Sequence, residues 1–317
     1  MMSFDSFISI SVVIPTYNRT KTIRYCIDSI LKQTYPAHEI LIVDDCSTDE
    51  IESLILSYQN PKVKFLPLGF KGGAQAARNL GITRAQGNWI AFQDSDDEWR
   101  EDKLKKQVEA LRLLDFDENV VVHTNCITYI TSQKRYNDFN IPVIEGSSED
   151  IYRKLLLQPA PLFPTILASK KALERINLLD TNIKSFQEWD TTIRLAKQCN
   201  FVHLKEPLFV YHLHEGTTIS KNIYAEIKGY YTIRKKFKEE IISEFGKLYF
   251  QLDIIWITLR AIEQNFSDIS QEITRDNFSN HRVWAFFFRS LNRNKSILKL
   301  LISASNKTKN ILVRTKL

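Results

Sequence analysis

The 317-residue chain has few cysteines, and none of them are close together. The four are Cys26, Cys46, Cys126 and Cys199, with no C-x-x-C pair. This spacing argues against a zinc site and a disulfide framework, and it is typical of a protein kept in the reducing cytoplasm. The first residues show no signal-peptide pattern, and no apolar run approaches the ~18 residues of a membrane span. We therefore expect a cytoplasmic protein without a membrane-spanning helix.

Acidic residues are absent from the C-terminal end of the chain. No Asp or Glu follows Asp276, whereas nine Lys or Arg residues lie between Arg282 and Lys316. The net charge of +6 comes from 43 basic and 37 acidic residues, so the body without this tail has 34 basic residues and a charge of −3. A nucleic-acid groove on the main domain is therefore not expected, because such a groove needs a basic surface.

Glycine is absent from the first turn that follows a predicted strand, residues 15–19. A dinucleotide-binding dehydrogenase needs glycines there, because its backbone must approach the pyrophosphate closely. A sugar-nucleotide pyrophosphorylase would have a glycine- and arginine-rich loop at the same place. The sequence disfavours both classes.

Apolar patterning in the first 125 residues predicts alternating strands and helices. Residues 8–14 indicate a buried strand that Pro15 stops. Ser47 and Glu50 form a predicted capping box at the start of a helix. Further strands are predicted at 39–43, 63–66, 89–93 and 120–123, and the first helical stripe comprises Ile23, Cys26, Ile27, Ile30 and Leu31. This alternation predicts a mainly parallel sheet that binds ligands at the carboxyl ends of its strands.

The rest of the chain is less regular and divides into two parts. Helices are predicted near 151–157, 170–176 and 190–199, and strands at 201–204 and 208–212. Beyond residue 220 nearly every segment has a helical pattern. We therefore predict a sheet domain over residues 1–220 and a helical, basic region over residues 221–317.

Four carboxylates follow the strand predicted at 89–93: Asp94, Asp96, Asp97 and Glu98. Carboxylates this dense repel one another and are costly to bury. A divalent cation such as Mg²⁺ or Mn²⁺ would offset their charge, and it is commonly shared with substrate phosphates. The alternative is a solvated acidic turn that caps the following helix.

Three polar residues come just after predicted strands: Thr16, Asp45 and Asp94. The carboxyl ends of parallel strands meet at one edge of a sheet. We therefore expect these three side chains to converge on one binding site.

Three further motifs precede the acidic cluster, in the segments Ser11–Arg19, Ile42–Asp49 and Gly72–Gly81. In this order and spacing the four motifs resemble the family-2 glycosyltransferases. These are inverting enzymes with the GT-A fold, which use nucleotide-diphosphate sugars. The resemblance covers roughly residues 8–220. It implies an α/β fold, a Rossmann-like mainly parallel sheet flanked by helices, to which this chain adds a C-terminal helical extension.

The resemblance also implies roles for individual residues on the donor side. Thr16 and Asp45 match positions that hold the nucleotide base, usually uracil. Arg78 matches an arginine that reaches the nucleotide. Asp94 and Asp96 match the D-x-D motif, in which Asp94 faces the ribose and Asp96 binds the metal that bridges the diphosphate. The alternative for Asp45 is a turn cap, and for Arg78 a solvated position on a helix.

The segment from Phe186 to Asp190, followed by Arg194, resembles the part of the family that supplies the catalytic base. Glu188 stands where the family usually has Asp, and Asp190 is at a second position that is commonly acidic. Glutamate is longer by one methylene, so its carboxylate must be placed differently. We favour Glu188 as the base and keep Asp190 as the alternative, although an acid at a helix start is also stabilised by the helix dipole.

Tyr211–His214 resembles a late motif of the family. His214 matches a histidine that completes the metal shell or contacts the diphosphate, and His212 replaces a frequent arginine. The alternative for His214 is a purely structural histidine.

The predicted function is inverting transfer of a sugar from a nucleotide-diphosphate donor, preferably a UDP-sugar, to a hydroxyl of a glycan or lipid-linked acceptor. We expect dependence on Mg²⁺ or Mn²⁺ and a role in surface polysaccharide biosynthesis. The expected location is the cytoplasm, including the inner face of the membrane. A catalytically inactive relative that acts as a nucleotide-sugar-binding or scaffold subunit is the alternative, favoured only by Glu188.

The basic tail contains an approximate helical stripe, broken at residues 294–295. The stripe comprises Trp284, Phe287, Phe288, Leu291, Leu298, Leu301 and Ile302. A basic amphipathic helix can lie on an anionic membrane surface. The alternative is that these side chains pack on the catalytic domain or on the second subunit of a homodimer.

Overall fold

The computed structural model describes residues 8–139, 142–213, 222–280, 282–284, 288 and 295–314. The chain divides into two compact units. The first comprises Met1–Asn182 and Gln187–Gly216, and the second comprises Ile183–Phe186 and Thr217–Leu317. The sequence pattern gave no sign that residues 183–186 group with the C-terminal helices. Among the helices of the described ranges, none combines the length and apolarity needed to cross a bilayer.

The first unit contains a twisted sheet whose first four strands are parallel. These are β1 (Ile10–Thr16), β2 (Glu39–Asp44), β3 (Val63–Pro67) and β4 (Trp89–Phe92), in the spatial order β3-β2-β1-β4. Every residue of β1, β2 and β4 is buried. Burial on both faces is the reason that parallel strands have nearly continuous apolar sequences.

The sheet continues with strands that make it mixed rather than uniformly parallel. They are β5 (Glu98–Trp99), β6 (Val120–Ile130), β7 (Arg135–Phe139), β8 (Leu167–Ser169) and β9 (Asn200–Leu213). After β4 the order is β8-β6-β9-β5, and β7 pairs with β6. Within the described residues of this part of the sheet, β6 and β9 pair in parallel, whereas β4–β8, β6–β8, β6–β7 and β5–β9 are antiparallel. Strands β5 and β8 are too short to leave a period in the sequence.

Seven α-helices accompany the sheet within the described part of the first unit. They are α1 (Ile23–Leu31), α2 (Ile51–Leu56), α3 (Ala74–Arg84), α4 (Lys103–Arg112), α5 (Ser148–Leu157), α6 (Lys170–Arg175) and α7 (Gln187–Ala196). In α1 the predicted stripe is buried from Ile23 to Ile30, while Leu31 is exposed. The predicted α/β fold is confirmed.

Two local predictions are wrong. Strand β1 runs through Pro15 to Thr16, because beyond Val13 it pairs only with β2. The capping box is also absent, since helix α2 has Glu50 as its N-cap without a side-chain hydrogen bond. The Ser47 hydroxyl instead donates to Asp44.

The second unit is mainly helical in its described residues. Its helices are α8 (Ile223–Lys236), α9 (Lys238–Phe245), α10 (Lys247–Glu263), α11 (Ser267–Asn277) and α12 (Lys295–Arg314). One of its cores contains Leu259, Ile262, Phe288 and Leu298, with Leu301 and Ile302 packed against it. The described members of the predicted C-terminal stripe therefore pack within their own unit, with Trp284 against Phe278 and Phe288. Phe287 and Leu291 lie outside the described residues.

Candidate active site

The carboxyl ends of β1 and β2 bring Thr16 and Asp45 together. The Asp45 backbone N–H donates to the Thr16 carbonyl over 2.9 Å. Both side chains are buried, and the Thr16 Oγ1 has no hydrogen-bond partner among the described residues. A buried hydroxyl without a partner is costly. This position therefore fits a ligand that supplies a hydrogen bond.

The Asp45 carboxylate holds the glycine loop that precedes α3. Its Oδ1 accepts hydrogen bonds from the backbone N–H groups of Gly72 (2.7 Å) and Gly73 (2.9 Å). Gly73 has a φ of +84°, a conformation that glycine adopts readily. The neighbouring Asp44 caps a turn by accepting from the Ser47 N–H. The two acids therefore differ in role, and the link between Asp45 and the glycine loop was not predicted.

Arg78, on α3, connects three parts of the first unit. Its Nη2 donates to Asp94 Oδ1 over 2.8 Å, and its Nη1 donates to Gln187 Oε1 over 3.0 Å. The guanidinium also lies over the Phe163 ring, 4.5 Å from its centroid. Arg78 is buried, so the alternative of a solvated surface arginine is wrong. Sequence reasoning missed Gln187 and Phe163, and only the position of Gln187 beside Glu188 could have pointed to it.

Asp94 lies at the end of β4 with 35% of its side chain exposed. Burial raises the pKa of its carboxyl, Arg78 partly opposes this shift, and the nearby charge of Asp96 adds to it. Asp96 forms an ion pair with Arg19, with an Nη2–Oδ2 distance of 3.4 Å. The Tyr25 hydroxyl donates to the Asp96 backbone carbonyl over 2.8 Å. The two acids of the D-x-D segment are thus both near arginines.

The last two acids of the cluster are bound to β9. Asp97 is buried and accepts a hydrogen bond from the His212 backbone N–H over 2.7 Å. Burial, together with the charges of Asp96 and Asp94, raises the pKa of Asp97 well above its ordinary value. Glu98 Oε2 lies 2.9 Å from His212 Nε2. A wholly solvated acidic turn is therefore excluded.

The acidic cluster fits a divalent cation through its oxygen donors. No group of three or more His, Cys, Asp or Glu residues able to hold a metal occurs in the described ranges. Mg²⁺, however, is usually bound by one or two carboxylates, with waters and substrate phosphates completing its shell. Asp96, which follows β4 and has 18% of its side chain exposed, supplies one such carboxylate. His214, the second predicted ligand, lies outside the described residues.

The two candidates for the catalytic base have different surroundings. Burial raises the pKa of Glu188, the charge of Asp94 adds to the rise, and Arg78 opposes it. Asp190 is fully buried and pairs with Arg194, whose Nε and Nη2 lie 2.9 and 2.8 Å from Asp190 Oδ2. Arg194 Nη1 also donates to the carbonyls of residues 176 and 178. The charges of Arg78 and Asp94 thus act on Glu188, whereas Asp190 forms an ion pair with Arg194.

Comparison with known proteins finds a family match over the part of the chain that contains most of these residues. A family model described as "Glycosyl transferase family 2" matches residues 11–168, about half of the chain. The chain belongs to glycosyltransferase family 2. The match includes Thr16, Asp45, Arg78, Asp94 and Asp96 but ends before Glu188.

This family 2 glycosyltransferase is similar to two named relatives and to one solved structure. TuaG of Bacillus subtilis (strain 168), whose name proposes a role in teichuronic acid biosynthesis, is 42% identical over 102 residues, 32% of this chain and 40% of that protein. The Escherichia coli UDP-Glc:alpha-D-GlcNAc-diphosphoundecaprenol beta-1,3-glucosyltransferase WfgD is 29% identical over 258 residues, 79% of this chain and 94% of that protein. The structure of S. aureus TarS 1-349 in complex with UDP-GlcNAc covers 95% of this chain and 92% of that chain, with a TM-score of 0.60 and 18% identity. The GT-A fold of this glycosyltransferase is thereby confirmed.

Proposed function

We propose that the protein transfers a sugar, with inversion, from a UDP-sugar to a hydroxyl of a glycan or lipid-linked acceptor. One observation carries this proposal. Arg78 donates to Asp94 on the donor side and to Gln187 beside Glu188, so a single guanidinium joins the two halves of a transfer site. The role proposed for the product is in surface polysaccharide biosynthesis, as the name of TuaG, a putative teichuronic acid biosynthesis glycosyltransferase, suggests for that protein.

Uridine is the nucleoside we propose for the donor. Asp45 uses Oδ1 for the glycine loop, and no hydrogen bond to its Oδ2 comes from the described residues. An ionised carboxylate accepts hydrogen bonds only, so Oδ2 suits the ring N–H of uracil. Thr16 Oγ1 can serve a second polar atom of the base. TarS has been crystallised with UDP-GlcNAc and WfgD is named for UDP-Glc, which supports the same donor class.

Glu188 is the group we propose as general base. A base works best when its pKa lies near the working pH, and burial moves Glu188 in that direction. Its carboxylate takes the proton of the acceptor hydroxyl while that oxygen forms a bond to the anomeric carbon. The bond from the anomeric carbon to the diphosphate breaks, and the nucleoside diphosphate leaves with the electron pair. One in-line displacement inverts the anomeric centre and needs no covalent enzyme intermediate.

Asp96, together with His214, is proposed to hold Mg²⁺ or Mn²⁺. When bound, such an ion supplies Lewis-acid stabilisation of the leaving diphosphate. The chain itself contributes Arg78. Its buried guanidinium favours the ionised form of Asp94 and so opposes the rise in the pKa of that carboxyl. Arg19 lies on the other side of the same acids and pairs with Asp96.

The inner face of a membrane is the proposed place of action. WfgD is named for a diphosphoundecaprenol acceptor, and this chain matches 94% of it. An acceptor on a lipid carrier is held at the membrane, so transfer to it would take place at that surface. The four cysteines are all free, as expected in the reducing cytoplasm.

Calorimetric titration with UDP and Mn²⁺ tests the donor site. We expect binding to the unmodified protein, weaker binding to Asp96→Ala, and unchanged binding to Glu188→Gln. A thermal-shift screen of nucleotide sugars would identify the donor, because a ligand that binds only the folded state raises the melting temperature. Equal UDP and Mn²⁺ affinities for the unmodified protein and Asp96→Ala would reject the metal role.

The alternative of an inactive binding or scaffold subunit rests on Glu188, which stands where the family usually has Asp. Donor hydrolysis with Mn²⁺ separates the two functions. If the unmodified protein hydrolyses the donor and Glu188→Gln does not, the protein is an active enzyme. If the protein binds a UDP-sugar but shows no turnover, either alone or with extracts that contain acceptors, the inactive subunit is supported.

A further inference from the structure

Helix α12 is attached to its unit through one side. Leu298 is buried in the core beside Leu259 and Ile262 of α10. Lys309 is also buried, its Nζ lies 2.7 Å from Asp253 Oδ1, and it sits over the Trp256 ring at 4.5 Å from the centroid. An apolar contact and a buried ion pair thus fix which side of α12 faces inward.

A second line of side chains along α12, mostly apolar, is exposed to solvent. Ile297, Leu300 and Ile311 are 48%, 69% and 61% exposed. With Ala304 and Lys307 they follow at spacings of three and four residues, so all five share one side of the helix. We call these five residues the outer stripe. It differs from the stripe that the sequence suggested, whose members Leu298, Leu301 and Ile302 pack inside the unit.

The charged side chains of α12 all have the same sign. Lys299 and Lys307 are exposed, and neither α12 nor any residue after Asp276 is acidic. A helix with an apolar line and basic flanks lies in the plane of an anionic bilayer surface, with its apolar side chains in the headgroup region and its lysines near the phosphates.

A second copy of the chain is a poorer occupant for the same surface. If two outer stripes faced each other, Lys307 of each would approach a helix that has no acid to pair with it. Like charges brought together without partners are destabilising. A surface of anionic lipid headgroups has the opposite sign and accepts the apolar side chains as well.

We propose that the outer stripe of α12 docks the protein on an anionic lipid surface. The placement of the stripe comes from the structure alone. Its use, to bring the enzyme to a lipid-linked acceptor, rests on the proposed function. An experiment can therefore reject the docking surface without rejecting the transfer site, and the reverse.

Co-sedimentation of the full chain with vesicles tests the surface. We compare phosphatidylcholine vesicles with vesicles that contain about 30% phosphatidylglycerol, since each lysine near an anionic surface contributes about 1 kcal/mol. Lys299→Gln/Lys307→Gln should reduce partitioning about 30-fold, equivalent to about 2 kcal/mol. Leu300→Ser/Ile311→Ser should reduce it at least about tenfold, because two exposed apolar side chains lose their burial in the headgroup region.

Matched controls come from the first unit. Leu56→Ser/Leu113→Ser removes two leucines that are also exposed, and Lys32→Gln/Lys105→Gln removes the same charge from exposed positions. Both should pellet like the unmodified protein. Melting temperatures and donor hydrolysis should be unchanged in all four variants, since none alters the proposed transfer site.

Equal pelleting of the stripe variants and their controls would overturn the proposal, as would failure of the unmodified protein to bind anionic vesicles. A dimer that Leu300→Ser/Ile311→Ser dissociates in sedimentation velocity, without vesicle binding, would assign the stripe to a second copy and would also overturn it. Anionic vesicle binding that depends on the stripe, in a protein without donor turnover, would uphold the surface and reject the proposed function.

Discussion

The Arg78 guanidinium lies 2.8 Å from the Asp94 carboxylate and at the same time 3.0 Å from the Gln187 side-chain oxygen. Asp94 follows β4 and Gln187 begins α7, so residues more than ninety positions apart share one cation. A planar fork can serve two acceptors in different directions, which an ammonium on a flexible stem does poorly. The geometry around Asp94, on the proposed donor side, is therefore coupled to the start of the helix that bears Glu188.

Arg78→Lys should test this coupling. The substitution keeps the positive charge but loses part of the fork, and a charge-assisted hydrogen bond is worth about 1.5–3 kcal/mol. We expect kcat/KM for the donor to fall about 10–100-fold. Steady-state kinetics would measure it, with Arg84→Lys, an exposed arginine on the same helix, as the control. Equal kcat/KM values for the two variants would contradict the prediction.

Glu188→Gln should remove the general base without disturbing the donor site. The amide is nearly isosteric with the carboxylate but cannot take a proton. Turnover should fall by about 10²–10⁴, the usual contribution of general-base catalysis, while UDP affinity stays unchanged. Single-turnover assays and calorimetry measure the two quantities. Near-normal turnover in Glu188→Gln would show that another group is the base.

Asp190→Asn should affect stability more than chemistry. Asp190 is fully buried, and its substitution removes the charge that neutralises Arg194, which is 17% exposed and keeps its bonds to two carbonyls. Breaking a fully buried pair costs about 3–5 kcal/mol, so we expect the unfolding free energy to fall by up to about 3 kcal/mol. Urea denaturation would measure the change. If Asp190→Asn were as stable as the unmodified protein but inactive, Asp190 rather than Glu188 would be the base.

The pH dependence of kcat/KM should identify the same residue. Burial raises the pKa of Glu188 above 4.5, so it stays protonated at pH values where an ordinary glutamate is ionised. A base works only when deprotonated, so kcat/KM should rise with pH through an acid limb that lies above pH 4.5. Residual activity in Glu188→Gln should lack this limb. A limb that persists there would belong to another group.

The fold was predictable where strands are parallel and buried on both faces. Strands β1, β2 and β4 are fully buried and largely apolar, and helix α1 shows a 3.6-residue period, so their order followed directly from the sequence. Strands β5 and β8 have two and three residues, and their pairing depends on distant neighbours rather than on a local pattern. The antiparallel half of the sheet therefore could not be predicted.

The positions of candidate site residues were predictable where a residue lies at or directly after a strand end. Thr16, Asp45 and Asp94 come next to strand ends, and the structure places Thr16 beside Asp45. The contacts of Arg78 with Phe163 and Gln187 link positions far apart along the chain. Such contacts are set by tertiary packing, which a single sequence does not show.

Asp97→Asn should stabilise the metal-free protein at neutral pH. The folded-state pKa of Asp97 is raised, so the folded protein binds its proton more tightly than the unfolded chain does. Stability should then fall as pH rises from about 3.9, the ordinary value for Asp, through the folded-state pKa, and stay low above it. Asparagine keeps an oxygen for the His212 N–H and carries no charge, so this loss should disappear.

Urea denaturation at pH 7 and at pH 4.5 would measure that difference. Asp97→Asn should exceed the unmodified protein in unfolding free energy at pH 7, and the gap should narrow at pH 4.5, where more of Asp97 is protonated. The exposed Asp115→Asn is the control and should show no such trend. A lower stability of Asp97→Asn at pH 7 would mean that the ionised carboxylate already has a favourable partner in the metal-free fold. If instead the variant is more stable but binds UDP and Mn²⁺ less tightly, the buried charge is a cost of cation binding, since sites selected for function are often less stable than the fold allows.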